Sequence, residues 1–338
     1  MRQVRLTPRR LAVALATLAV VLAVACGVAL AFGSERVPLG GIVAAMWARV
    51  TGGPSPLSAE HTAIVFDVRL PRLALALVVG ASLSVAGSAF QALLRNPLAE
   101  PYILGVSSGA ALGAVLSAVV FAAAATGRTM SAFVGALATI AVVYAIGEGR
   151  EGAPTERLIL AGVIVNAFLS SAIIFLMTLT SESGLRGIYS WLIGDLSGSS
   201  EALWPIALIA LAGATAIFLC ARSLNLLMLG ERDARALGVQ TRVVKVVVYV
   251  AASMITAASV AVSGMIGFVG LVIPHAVRLV VGSDNRLVVP ASALVGAAFL
   301  ALGDTLSRTL FAPREIHIGV VTALIGAPVF VYLLRRSW

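Results

Sequence analysis

The residues of this sequence that could do covalent chemistry are a serine flanked by glycines and one histidine. Gly105-Val-Ser107-Ser-Gly109 fits the Gly-x-Ser-x-Gly pattern of serine hydrolases, and His275 is a candidate base for Ser107. That pattern requires a sharp turn from a strand into a helix, whereas here it begins an apolar run of membrane-helix type. We therefore favour small residues for helix packing, and an intramembrane serine protease is the alternative from a different class of function.

Neither metal nor nucleotide chemistry is indicated. The three histidines, His61, His275 and His317, are far apart, and none belongs to an H-x3-H or H-E-x2-H pair. The sequence therefore predicts no metal site. No Gly-x4-Gly-Lys-Ser/Thr loop occurs, and the single lysine, Lys245, lies in an apolar run. Because such a loop is what cradles nucleotide phosphates, we expect ATP and its Mg²⁺ to bind to another polypeptide and this chain to carry no cofactor.

Asp304 is a carboxylate near the end of the apolar run 287–306. A lone carboxylate there is costly and is usually paired or functional. Arg308 follows Asp304 by one helical turn, which makes it the predicted partner.

The elements that position these residues are membrane helices. Sixty per cent of the 338 residues are hydrophobic, 12% are charged and the mean hydropathy is +1.03. A water-soluble domain could not bury so much apolar surface, so the chain is predicted to be an integral membrane protein. The net charge of +9 comes from arginines scattered between apolar runs. It therefore indicates membrane topology rather than binding of nucleic acid.

Ten apolar runs predict about ten transmembrane helices in one domain, residues 1–338. Sixteen of the 24 basic residues fall on one side if the N-terminus is cytoplasmic. This asymmetry places both termini in the cytoplasm. The first run is longer than a signal-peptide core, so it is read as a retained helix. The predicted runs are 11–32, 71–92, 103–125, 130–147, 157–180, 202–221, 243–266, 268–282, 287–306 and 317–334.

Several motifs resemble one family of transporters. Gln91-x3-Arg-Asn-Pro-Leu-Ala-x-Pro101, followed by Leu-Gly-Val-Ser-Ser-Gly, is similar to the permeases of ABC importers for iron-siderophores, haem and cobalamin. So are Leu229-Gly-Glu-x2-Ala-x2-Leu-Gly238 and the run Gly264 to Arg278 with Ile-Pro-His-x2-Arg. The resemblance covers about residues 62–334. It implies the all-α fold of a type II ABC importer permease. In one departure, His317 stands where the family commonly has proline.

The resemblance also implies roles for particular residues. Arg69 and Arg308 would each receive a carboxylate of the substrate-binding protein. Glu156 departs from the small hydroxyl residue that relatives have at its position. The implied cytoplasmic gate is Asn96, Leu98, Thr155 and Glu156. The implied ATPase-coupling residues are Leu229, Gly230, Glu231, Ala234, Arg235, Leu237 and Gly238. The implied hinge and packing residues are Pro97, Pro101, Gly264, Gly267, Gly270 and Pro274.

The function so predicted is that of a non-enzymatic permease subunit in the bacterial inner membrane. The implied partners are a second copy of the chain, two cytoplasmic ATPase subunits, a substrate-binding protein and membrane lipid. The cargo would be a metal chelate, namely an iron-siderophore, haem or cobalamin. A permease for a free metal ion is the alternative within transport, although few acidic or histidine residues lie in the spans.

Overall fold

The computed structural model describes residues 7–120, 125–148, 155–180, 182–197 and 203–337, and the regular secondary structure in these ranges is helical. The first seven helices are α1 (Pro8–Ala31), α2 (Leu39–Thr51), α3 (Ala59–Leu93), α4 (Val106–Val120), α5 (Ala125–Gly147), α6 (Thr155–Thr178) and α7 (Glu182–Ile193). The other seven are α8 (Leu203–Leu219), α9 (Ala221–Leu229), α10 (Glu231–Ala236), α11 (Thr241–Ser263), α12 (Val269–Val281), α13 (Asn285–Thr309) and α14 (Ile318–Ser337).

Each predicted apolar run contains a helix, but the helices differ in reach. Among the described residues, seven helices are long and apolar enough to cross a membrane: α1, α3, α5, α6, α11, α13 and α14. The pair α8 and α9, bent by 52°, makes an eighth if it is counted as one span. Helix α12 has 13 residues, fewer than the roughly 20 that a crossing needs, in agreement with the short predicted run 268–282. Helix α4 is described over 15 residues, up to the end of a described range. Each follows an irregular segment that takes up part of the predicted run.

Helix α3 is the centre of the structure. It packs against α11, α12 and α13, and its residues from Ser82 to Leu93 are all buried. A Cβ atom at Gly80 would overlap the carbonyl oxygen of Gly296 in α13, and one at Gly87 would overlap that of Gly270 in α12. Lipid tails are as apolar as the helices and do not drive helices together, so such close backbone contact is what stabilises them.

Two irregular segments meet beside α3. The first, residues 94–105, is here called the gate loop; it contains a short 3₁₀ turn, Pro101–Leu104. The second, residues 264–268, separates α11 from α12, and both Gly264 and Phe268 have positive φ angles there. A Cβ atom at Gly264 would overlap the carbonyl oxygen of Trp191 just before α7 ends. Glycine at 264 thus satisfies both the backbone angle and the close contact.

The residues predicted as hinges lie in or beside these segments. Pro101 begins the 3₁₀ turn and is buried, and its ring lies against Gly270, where a Cβ would be 2.9 Å from the Pro101 Cδ atom. Pro274 is buried inside α12. Gly267 is less crowded, because a Cβ atom there would have its nearest neighbour, a ring atom of Tyr102, 3.9 Å away. Gly264 and Gly270 are therefore close-packing positions, against Trp191 and Pro101. Hinge motion at Pro97, Pro101 and Pro274 stays a prediction.

Candidate functional site

Three arginines and two carboxylates form a cluster where α1 and α13 end, beside residues 69–72 of α3. Asp304, only 2% exposed, accepts from Nε of Arg72 at 2.7 Å and from Nε of Arg308 at 3.0 Å. Arg72 also donates to Glu315 at 2.9 Å. The predicted Asp304–Arg308 pair is therefore confirmed, and Arg72 is a second partner that the sequence spacing did not show. With Arg69, these residues are called the arginine cluster below.

Arg69 is held by backbone carbonyls instead of by a carboxylate. Its guanidinium donates to Leu30 at 2.6 Å, to Ala31 at 3.2 Å and to the carbonyl of Glu35. Unpaired carbonyls at the C-terminal end of a helix carry partial negative charge, so the end of α1 suits an arginine. Arg69 is 3% exposed and Arg308 is 7% exposed. Both proposed docking residues thus have partners within the chain, and their contact with a binding protein stays a prediction.

The gate loop is pinned to the segment before α12. A carboxylate oxygen of Glu100 accepts the backbone N–H of Phe268 at 2.9 Å. The Tyr102 hydroxyl donates to the carbonyl of Ile266 at 2.7 Å and accepts its N–H at 2.9 Å. These bonds satisfy backbone groups that the break between α11 and α12 leaves without helical partners. Sequence reasoning missed Glu100 and Tyr102, although their position inside the matching motif was a signal.

The predicted gate residues lie at the exposed part of this loop and at the start of α6. The side-chain oxygen of Asn96 accepts the N–H of Leu98 at 2.9 Å, and Leu98 is 42% exposed. Glu156 is exposed in the first turn of α6. Thr155 begins α6, and its side chain lies outside the described residues. It is the 3₁₀ turn, near Ile103 and Gly162, that packs on α6; gating by the four named residues stays a prediction.

The Gly-x-Ser-x-Gly segment does not have the geometry of a hydrolase. Gly105 ends a 3₁₀ turn with φ of 75°, and Ser107 lies in the first turn of α4, so a helical turn stands where a nucleophile elbow requires a strand. Ser108 donates to the side chain of Asn166 in α6. His275 packs edge-on against Phe330 of α14, with ring centroids 6.1 Å apart. These residues pack helices together, as the favoured interpretation predicted.

The predicted coupling segment, Leu229–Gly238, is a short helix between two glycines. Gly230 and Gly238 have φ angles of 138° and 86°, which glycine adopts without steric cost. Between them, α10 buries Ala234 and exposes most of its other residues. The flanking Leu229 and Leu237 are 66% and 62% exposed. Both ends of the charged helix therefore present an exposed leucine, and binding of an ATPase there stays a prediction.

Glu231 fixes this segment to the membrane helices. Its carboxylate accepts from Nζ of Lys245 in α11 at 2.9 Å and from Arg235 at 2.7 Å. Burial by itself raises the pKa of Glu231, but the bonds from Lys245 and Arg235 outweigh it and hold that pKa below its ordinary value. The carboxylate is therefore charged at neutral pH. The chain's single lysine anchors the coupling segment, a role that its position in an apolar run did not indicate.

His317, which stands where relatives commonly have proline, lies at the start of the last helix. Helix α14 begins directly after His317, whose carbonyl accepts the N–H of Val320 at 3.1 Å. Histidine in place of proline is thus compatible with this helix start. Within the described ranges, no three His, Cys, Asp or Glu residues are grouped as they would be to hold a metal ion.

The sequence is similar to a family of transport proteins and to permeases of known import systems. Residues 18–336 match the FecCD transport family. The cobalamin import system permease protein BtuC of Halobacterium salinarum is 42% identical over 325 residues, which cover 93% of this chain and 86% of that protein. The hemin transport system permease protein HmuU of Yersinia pestis is 41% identical over 283 residues, covering 81% of this chain and 84% of that protein.

A solved structure shows the same fold. A chain from a metal-chelate type ABC transporter, in an inward-facing conformation, superposes with a TM-score of 0.82 at 32% identity. The match covers 96% of this chain and 99% of the other. The family match and this superposition identify the chain as a transmembrane permease of the ABC transporter type. The chain belongs to the FecCD transport family, and it is a transport subunit rather than an enzyme.

Proposed function

We propose that this chain is the permease subunit of an ATP-driven importer that moves a metal chelate from an external binding protein into the cytoplasm. The observation that carries the proposal is the coupling segment: Leu229 and Leu237 are exposed on either side of a helix that Glu231 fixes to α11. A motor subunit bound to such a segment could transmit force to the membrane helices. The names of the relatives, one for cobalamin and one for hemin, support a chelate as the cargo.

The proposed assembly contains two permeases, two ATPase subunits and a binding protein. The chain contains no phosphate-binding loop, so ATP and Mg²⁺ are bound by two separate cytoplasmic ATPase subunits. Two copies of the permease form a homodimer with the translocation path between them. The excess of basic residues on one side supports an inner-membrane protein with both termini in the cytoplasm. On the opposite side, Arg69 and Arg308 receive carboxylates of the binding protein.

Transport then proceeds by alternating access, without any catalytic residue in this chain. ATP-driven closure of the motor subunits displaces the coupling segment. The gate loop, with Asn96 and Leu98, opens or closes the cytoplasmic side together with Thr155 and Glu156. Pro97 and Pro101 lie in the gate loop, and Pro274 removes one hydrogen bond inside α12. These three prolines allow neighbouring segments to change angle.

The test is transport by the purified complex in proteoliposomes. The permease is reconstituted with its ATPase and loaded binding protein, and uptake is measured for a ferric siderophore, haem, cobalamin, ferric citrate and free Fe³⁺. We expect ATP-dependent uptake of one chelate and no ATP hydrolysis by the permease alone. Uptake of the free ion in preference to every chelate would favour the alternative, a metal-ion permease. ATP hydrolysis by the permease alone would contradict the proposal.

A further inference from the structure

A polar junction joins the coupling segment to the transmembrane core. Asn225 lies on α9, one turn before the coupling segment begins. Its side-chain oxygen accepts the backbone N–H of Asn285 and the side-chain N–H of the same residue, both at 2.8 Å. Its amide nitrogen donates to Asp284 at 2.8 Å. Three hydrogen bonds thus connect α9 to the start of α13.

The junction continues through Asn285 to α12 and α3. Asn285 is fully buried, and its side-chain oxygen accepts from Nη2 of Arg278 at 3.2 Å. The same Nη2 donates to the carbonyl of Ser88 in α3 at 2.9 Å. In the described part of the chain Arg278 forms no ion pair, so hydrogen bonds alone hold its guanidinium in this position.

Beyond Ser88, α3 leads directly into the gate loop. The side chain of Gln91, one turn further on, donates to the carbonyl of Leu271 in α12 at 3.1 Å. Past the gate residues, Glu100 accepts the N–H of Phe268 at the start of α12. Helix α12 therefore holds the gate loop on both sides, and Arg278 ties that helix to Asn285 and so to α9.

We infer that Asn225, Asn285 and Arg278 are the positioning residues through which movement of the coupling segment reaches the gate loop. This inference rests on the proposed function, because it assigns to the junction the coupling of ATP hydrolysis to transport. It adds residues outside both the coupling segment and the gate. Hydrogen bonds join the four helices α3, α9, α12 and α13 at the junction. Because these bonds require a particular geometry, movement of one helix displaces the others.

The chemistry of Asn225 explains why an amide is needed there. Its oxygen accepts two bonds while its nitrogen donates one. A carboxylate at 225 would keep the acceptor but would face the carboxylate of Asp284, and close like charges repel. A hydrocarbon would leave the buried amide of Asn285 without its partner, which costs more than an average hydrogen bond contributes.

A simpler role for these residues is to begin α13. However, Asp284 already caps that helix by accepting the N–H of Arg286 at 3.0 Å. A cap alone does not require Asn225, which belongs to another helix. The two roles differ in what they change: loss of a cap lowers stability, whereas loss of the junction separates ATP hydrolysis from transport.

The experiment uses a cycle of charge-swap variants in the reconstituted complex. N225D, D284N and N225D/D284N are compared with wild type by the amount of chelate imported per ATP hydrolysed and by thermal unfolding. We expect N225D to lower the import ratio about five- to tenfold. We expect N225D/D284N to recover most of it, because the swap restores one donor facing one carboxylate. S108A is the matched control: it removes the bond between Ser108 and Asn166, and its import ratio should equal that of wild type.

Two results would overturn the inference: an import ratio in N225D equal to that of wild type, even if import and hydrolysis both fall, or no recovery in the double variant. If N225D does not assemble, a second variant decides. N225S introduces no second carboxylate, but its shorter side chain cannot replace the bonds to Asn285 and Asp284, so its import ratio should also fall. An import ratio in N225S equal to that of wild type would count against the junction. Absence of uptake by wild type would instead contradict the proposed function.

Discussion

The carboxylate of Asp304 lies 3.0 Å from Nε of Arg308, one turn further along α13, and both side chains are more than nine-tenths buried. The other carboxylate oxygen accepts from Arg72 at 2.7 Å. One anion therefore serves two buried cations. Breaking a buried ion pair by removing one partner is strongly destabilising, because the charge left behind has no compensation.

Replacing Asp304 should destabilise the chain more than replacing any other member of the arginine cluster. We expect D304A to lower the free energy of unfolding by about 3–5 kcal/mol, because it leaves Arg72 and Arg308 without their shared partner. E315A is the control. Glu315 is 55% exposed, so its loss should cost no more than about 1 kcal/mol. Thermal unfolding in detergent measures both, and equal losses would contradict this account.

Docking of the binding protein should depend on Arg69 and Arg308. We expect R69A to weaken binding modestly and R69E/R308E to weaken it severely, since reversed charges repel the incoming carboxylates. Binding should also fall as salt rises. The measurement is the affinity of the binding protein for the complex in liposomes at low and high salt.

Burial of both arginines makes a control necessary for that experiment. R308E places a third carboxylate beside Asp304 and removes a cation, so the variant complex must first be shown to assemble and unfold cooperatively. R314E reverses an exposed charge near the same end of α13 and should leave affinity almost unchanged. Equal affinities for R69E/R308E and wild type at both salt concentrations would remove these residues from the docking surface.

The coupling segment should bind the ATPase mainly through its two exposed leucines. L237D should leave stability of the permease within about 0.5 kcal/mol, because Leu237 loses little packing. Its affinity for the ATPase should fall at least about tenfold, because an exposed apolar anchor is replaced by a charge. R242A, at a side chain 75% exposed, is the control. Unchanged affinity in L237D would move the contact elsewhere.

Reversing the charge of Glu231 should affect transport differently from replacing Leu237. E231R should repel Lys245, its partner at 2.9 Å, and free the coupling segment from α11. We expect ATP hydrolysis to continue while import per ATP falls. Import and hydrolysis that stayed in the wild-type ratio would show that this anchor is not needed.

A cysteine at Leu98 should crosslink to its twin in the second copy when the cytoplasmic gate is closed. The side chain is 42% exposed at the tip of the gate loop, so the substitution should fold. Cys26 and Cys220 are first replaced, and crosslinking is followed by gel shift in each nucleotide state. L94C, at a buried position four residues earlier, should not react. If L98C fails to crosslink in every state, Leu98 is not a gate residue.

The junction should be insensitive to pH across the physiological range. The bond from Arg286 lowers the pKa of Asp284 from its ordinary 3.8 to about 2, burial opposes this shift, and the bond from Asn225 adds to it. A carboxylate with a lowered pKa contributes stability above its unfolded pKa and loses it as pH falls through the folded value. We expect wild type to lose about 1 kcal/mol relative to D284N between pH 5 and pH 2, allowing for solvent screening. Thermal unfolding at both pH values checks this, and a difference between pH 5 and pH 8 would contradict it.

The sequence was sufficient for the class of fold and for the local partners. Apolar runs located the helices, and spacing of one helical turn located the Asp304–Arg308 pair. It could not show that Arg72 shares Asp304, because 232 residues separate them and only the packing of α3 on α13 brings them together. The same limit applies to Glu100 with Phe268 and to Lys245 with Glu231. In each case a charged side chain has its partner on a different element of the fold.

The sequence also could not show where the irregular segments before α4 and α12 lie, for a physical reason. Hydropathy cannot separate a full crossing from a short helix next to an irregular apolar segment, since both are equally apolar. Backbone groups in such a segment need partners within the protein. Here Tyr102 and Glu100 supply them for Ile266 and Phe268, and that arrangement is visible only in three dimensions.

The glycine contacts of α3 limit which motions the transport cycle can use. Gly80 faces the Gly296 carbonyl and Gly87 faces that of Gly270. A slide of α3 by one helical turn would bring Ser84 or Gln91 against these carbonyls, because residues four apart share a face of a helix. Shear between α3 and its two neighbours is thereby blocked. The parts of those three helices that meet at these glycines should tilt together, and the change of shape must be taken up beyond them, as at Pro274.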